Sequence, residues 1–130
     1  CREFRWGIES GSPKMLDILG KGTTLQSIKR SLIAAKYLGI HNYATFLTHL
    51  PQETPTDRYE TQLFIKSIAG YLDSVQECTY GDYGHCSTKS IRALFENVEP
   101  EPKKPRQLSE LFHALNLKTV DIIEFMAQCS

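Results

Sequence analysis

Net charge is missing from this sequence: fifteen Lys and Arg against fifteen Asp and Glu, in 130 residues, leave a formal balance of zero. That balance removes the basic field by which nucleic-acid binders collect phosphate, so no nucleic acid is expected as a partner. Also missing is any run near the ~20 apolar residues of a membrane span. No basic segment followed by an apolar one marks a secretory signal. A cytoplasmic protein with no membrane partner is the expectation. Cysteines are few and scattered: Cys1, Cys78, Cys86 and Cys129 nowhere have the short spacing of a zinc site or a local cluster ligand set. Thiols in a reducing compartment are expected, with a Cys78–Cys86 bridge as the alternative. Position 1 is Cys and not Met, which reads as a piece of something longer or a processed product.

What is present is ordinary for one globular domain, with 41% hydrophobic and 23% charged residues. A chain of this length buries roughly two-thirds of its unfolded surface, enough for one core. Phe4, Trp6 and Ile8 alternate with Arg5, Gly7 and Glu9, the period-two pattern of a strand, with Phe4 and Trp6 expected as core. Ser12-Pro13 then opens a helix, and Gly20 is placed to close it. Thr23 with Gln26 makes a capping-box pattern before a helix carrying Leu25, Ile28, Leu32 and Ala35 on one face, ended by Gly39. Residues 40–50 read as a buried parallel strand. Thr54 and Pro55 start a helix whose expected core face is Tyr59, Leu63, Phe64 and Ile68, with Gly70 as terminator. A third strand is expected over Tyr71–Thr79, then a helix from Thr88 to Val98.

These elements give an α/β fold, a parallel βαβαβ unit over residues 1–98. A proline- and charge-rich linker follows at 99–105, and a helical hairpin at 106–130. The hairpin's two helices carry Leu108, Leu111, Phe112 and Leu115, then Val120, Ile123 and Met126, with Asn116–Thr119 as the turn. Its spacing permits a helix-turn-helix, but with no basic face it reads as a packing hairpin. Three parallel strands alone leave apolar strands open at both edges. Further strands are expected upstream or from another chain.

Gly7-Ile8-Glu9-Ser10-Gly11-Ser12-Pro13, Leu16 and Lys21-Gly22-Thr23-Thr24, followed in register by Gly39-Ile40 and His49-Leu50-Pro51-Gln52-Glu53-Thr54, resemble the radical S-adenosylmethionine (radical SAM) enzymes. The branch they resemble includes the cobalamin-dependent and elongator-like members. The resemblance runs from about Phe4 to Thr79. It implies that the chain is the second half of a partial (β/α)6 TIM-like barrel, supplying strands four to six, with the upstream half of the same barrel as its partner. It implies S-adenosylmethionine as cofactor, with Glu9 and Ser10 at the end of the fourth strand and Lys21 reaching the methionyl carboxylate. Thr45 would face the ribose, Leu47 would pack the adenine, and backbone near Cys78–Tyr80 would approach the adenine.

The family's Cys-x3-Cys-x2-Cys loop, which holds its [4Fe–4S] cluster, is not in this sequence. By the resemblance it lies upstream in the parent, where a cobalamin domain is a further option. Alone, then, the chain is not expected to cleave the cofactor to the 5′-deoxyadenosyl radical. Two glycines of the family's Gly-Leu-Pro-Gly-Glu-Thr turn are replaced by His49 and Gln52, and the loop after the third strand departs too, which leaves the substrate, small molecule or peptide, open. His49 is a candidate acid or base near neutral pH. His41, His85 and His113 read as structural or surface residues. The competing reading is a degenerate, cluster-less α/β domain serving as a structural or interaction module.

Overall fold

The computed structural model describes residues 2–80 and 107–120. Along the chain run β1 (Glu3–Glu9), α1 (Pro13–Ile18), α2 (Leu25–Tyr37), β2 (His41–Thr48) and α3 (Pro55–Ile68). A 3-10 turn (Ala69–Tyr71), β3 (Ser74–Thr79), α4 (Ser109–Ala114) and β4 (Lys118–Thr119) complete it. Among the described residues one sheet in the order β1-β2-β3-β4 holds every strand, and every pairing is parallel. The α/β class is thus as expected. The tail is not. Asn116, at φ 54°, turns the chain after α4 into β4, where Ser74 pairs with Lys118 and Val75 with Thr119. The sheet has four strands instead of three, and the described part of the expected hairpin joins it. The helix expected over Thr88–Val98, the 99–105 linker and the second hairpin helix beyond Val120 lie outside the described residues, as do Cys1, His85, Cys86 and Cys129.

Local chemistry sets the helix ends. Ser12 accepts from Met15 N (3.4 Å) with Pro13 in the first turn, and Gly20 leaves α1 at φ 68°. The capping box of α2 sits one residue later than its sequence pattern: Ser27 N donates to Thr24 Oγ1 and Thr24 N to Ser27 Oγ, both at 3.1 Å. Thr24 is the residue held extended, so the reciprocal pair forms there. Thr54 and Asp57 repeat the arrangement at α3.

Side-chain alternation gives the sheet two faces. On one, Ile8, Ala44, Phe46 and Val75 pack against Leu32 of α2, Phe64, Ile65 and Ile68 of α3, and Phe112 of α4. Each of these side chains larger than alanine contributes roughly 1.5–3 kcal/mol. Two expectations change here. Tyr59 and Leu63 face solvent at 59% and 45% exposure, while polar Asp57 and Thr61 turn inward with Phe64, Ile65 and Ile68. The reason is a polar tether, described below, that rotates the start of α3 toward the end of β1. Phe4 is 37% exposed and Trp6 only half-buried, because β1 is the sheet's edge.

Buried Glu77 fastens α4 to β3. Its carboxylate accepts from Thr48 Oγ1 (2.6 Å), Gln107 N (2.8 Å) and Leu108 N (2.7 Å). Those amides belong to the start of α4, where no intrahelical partner exists.

Candidate functional site

The site begins where β1 ends. Glu9 stands at φ 72°, and the pairing register with β2 slips between Gly7 and Glu9. A non-glycine residue in the left-handed region costs on the order of 1 kcal/mol, so something must hold it there. The following turn does. Ser10 Oγ bonds Thr61 Oγ1 (3.2 Å), Gly11 N donates to the same hydroxyl (3.0 Å), and Ser12 N donates to Ser10 Oγ (3.0 Å). Gly11 lies so close to α3 that a Cβ would stand 2.7 Å from both Phe64 Cβ and Thr61 Cα. Ser12 Oγ then donates to Asp57 Oδ1 at 2.7 Å.

Asp57 is buried, which alone would raise its pKa. Lys14 Nζ (2.7 Å), the Thr54 amide (2.8 Å) and the Ser12 and Thr54 hydroxyls outweigh that and hold it well below the usual carboxylate range. Ser10, a candidate cofactor residue from the resemblance, is fully buried with its hydroxyl engaged inside this turn.

Glu9 has a different environment. Burial pushes its carboxyl above the ordinary range, opposed only in part by Lys21, whose Nζ lies 3.7 Å from Oε1. Lys21 reaches back because Gly20 and Gly22 flank it at φ 68° and 65° and its amide closes the end of α1 on Leu16 O (3.1 Å). The pair lies over Gly7, whose Cβ, were it present, would be 2.8 Å from Glu9 Oε1. Beside it, an open cleft of about 330 Å³ runs between β1 and α2, lined by Trp6, Gly7, Lys21, Thr23 and Ser27 among others. Arg5, which strand alternation puts on the same side of β1 as Glu9, pairs with Glu3 at 3.1 Å.

Gly7, Thr45 and Gln76 are Cα partners across β1, β2 and β3, one row on the face turned away from α2, α3 and α4. At the usual strand spacing this row spans roughly 10 Å. Thr45 is half-buried, its hydroxyl 3.4 Å from Trp6 O. Leu47, two residues on, packs against the apolar cluster of Met15, Leu19, Leu50 and Tyr80. Gln76 escaped the sequence reading, since a glutamine in a strand carries no periodic signal. Tyr43 OH donates to its Oε1 (2.7 Å), while its buried Nε2 has no partner among the described residues. Of the predicted site residues the structure groups Glu9, Lys21 and Thr45, sets Leu47 beside them, and puts Ser10 inside the supporting turn.

After β2 the chain turns through His49 at φ 58° and Gln52 at φ 69°. These are the positions where the resemblance has glycine, and the left-handed backbone gives the reason: glycine enters it without cost. Glu53 clamps the turn, accepting from the His49 amide and pairing with Arg58 Nε (3.3 Å); burial dominates and leaves its carboxyl raised. His49 Nδ1 meets Gln107 Nε2 at 3.3 Å.

Among the described residues no group of three or more His, Cys, Asp or Glu could hold a metal ion, so these residues do not fit an iron–sulfur cluster. Among them, too, no helix is long and apolar enough to cross a membrane. No protein-family model matches the chain. Among curated proteins, an uncharacterized methyltransferase of Pyrococcus horikoshii is 35% identical over 68 residues. That match covers 52% of this chain, and the chain spans only 15% of that protein's length.

Proposed function

We propose that this chain is the carboxyl-side half of the catalytic barrel of a radical SAM enzyme, with β1, β2 and β3 as its fourth to sixth strands. The observation that carries the reading is the Glu9–Lys21 pair, lying over Gly7 at the carboxyl end of a parallel strand with Thr45 alongside. In open parallel sheets ligands are held at that end. The name of the Pyrococcus relative adds support for S-adenosylmethionine, the methyl donor that a methyltransferase commonly takes. An edge strand at β1 leaves room for the upstream half to extend the sheet.

In this reading Lys21 offers a point charge to the methionyl carboxylate. Glu9 accepts from hydroxyl or ammonium groups, Thr45 bonds the ribose, and Leu47 with its apolar neighbours packs the adenine. Bound there, the cofactor supplies a sulfonium whose reductive cleavage yields the 5′-deoxyadenosyl radical; the chain's own part is to bind and aim it. Cluster ligands, and any cobalamin, would belong to the parent's other segments, and the substrate is a small molecule or peptide. The same reading puts the parent in the reducing cytosol.

The test is anaerobic iron–sulfur reconstitution of the full-length parent, followed by assay for 5′-deoxyadenosine. Product is expected, with its yield lowered in Glu9→Ala and Lys21→Ala. An intact cluster without product would favour instead the structural-module reading, for which the bulky residues at His49 and Gln52 speak.

A further inference from the structure

We propose that Gly7 is a positioning residue for the Glu9–Lys21 pair: the volume its absent side chain leaves is where the Glu9 carboxylate rests. Among the described residues nothing else about the position calls for glycine. Its φ is not positive, unlike those of Gly20, Gly22 and Gly39, so any residue could adopt its backbone. No backbone atom is among the three nearest to a Cβ built there.

The three atoms nearest to a Cβ built there all belong to the pair: Glu9 Oε1 at 2.8 Å, Lys21 Nζ at 3.5 Å and Glu9 Cδ at 3.9 Å. The shortest of these is closer than a carbon and an oxygen pack. Because the obstructed atom is the tip of a flexible side chain, alanine would leave the strand intact and move the carboxylate. The left-handed Glu9 and the register slip after Gly7 belong to the same device. They fold residue 9 back over the strand, and Gly7 provides the space it folds into. Among the described residues, Lys21 is the charged group whose field acts on Glu9 there.

The test compares wild type with Gly7→Ala, reading the Glu9 carboxyl titration by carbon-detected NMR in the 130-residue chain and the affinity for S-adenosylmethionine by calorimetry in the cluster-reconstituted full-length parent. In Gly7→Ala the titration should fall back toward the ordinary carboxylate range as solvent reaches the displaced group, and affinity should drop about tenfold, the loss of one charge-assisted hydrogen bond. Adding Glu9→Asp, which withdraws the carboxylate by one methylene and tolerates a left-handed backbone, should recover part of that loss. An unchanged Glu9 titration in a folded Gly7→Ala protein overturns the proposal. If Gly7→Ala does not fold, Gly7→Ala/Glu9→Ala decides: with the carboxylate gone it must fold, and failure would mean that Gly7 serves the backbone. The affinity arm rests on the proposed cofactor reading and the titration arm does not. Wild type that fails to bind S-adenosylmethionine would therefore sink that reading and leave the positioning role standing.

Discussion

Asp57 and Glu9 are both largely buried carboxylates at the ends of neighbouring elements, and their environments push them in opposite directions. Asp57 receives an ammonium, a backbone amide and two hydroxyls, and burial loses to them. Glu9 has one cation at 3.7 Å, and burial wins. A buried anion with every lone pair occupied is part of the scaffold. One left under-coordinated, on a strained backbone beside a cleft, costs stability, and that combination is what makes Glu9 a candidate for binding.

That contrast can be broken at either end. The largest effect is expected at Asp57: Asp57→Ala strands the Ser12 hydroxyl and the Thr54 amide and should cost about 3 kcal/mol in chemical denaturation. An effect below roughly 0.5 kcal/mol would mean that the tether between the Ser12 turn and α3 carries nothing. The pH dependence follows in sign. Since folding depresses the Asp57 pKa, its stabilisation is complete above the unfolded value near 4 and disappears as pH falls toward the folded one. Melting temperatures measured from pH 6 downward should drop, with that limb missing in Asp57→Asn.

Glu9 should behave oppositely. Folding raises its pKa, so the favourable contribution exists below the unfolded value near 4.3 and is lost as pH rises through the folded one. Glu9→Gln should therefore stabilise the protein at pH 7 by roughly 0.5–2 kcal/mol and, under the proposed function, weaken S-adenosylmethionine binding. A loss of stability would place Glu9 with Asp57 as scaffold. The smallest effects concern the turn after β2: His49→Gly and Gln52→Gly should each add up to about 1 kcal/mol by relieving left-handed strain. No gain in thermal unfolding would show that the lost Gln107 contact at His49, and at both positions the extra unfolded-state freedom of glycine, offset the relief.

The sequence made the alternation of strands and helices legible because it is written in periodicity and in Ser, Thr, Pro and Gly at the helix ends. Glu9 and Lys21 were legible through a motif, though what sets their geometry, a register slip and two left-handed glycines, has no periodic trace. β4 was hidden because a two-residue strand has no pattern to repeat. The inward face of α3 was misread because Asp57 and Thr61 are polar, and burying them makes sense only once Ser10 and Ser12 are known to meet them. Glu77 and Gln76 were invisible for the same reason: their partners come from distant segments.

The Glu77 clasp has one more consequence. Because the Gln107 and Leu108 amides end on a carboxylate carried by β3, two points thirty residues apart in sequence are drawn together there. The cost of joining two points of a chain grows only logarithmically with the span between them, about 0.6 kcal/mol per doubling. A change in the number of residues between Glu77 and Gln107 would therefore weigh little on the clasp itself.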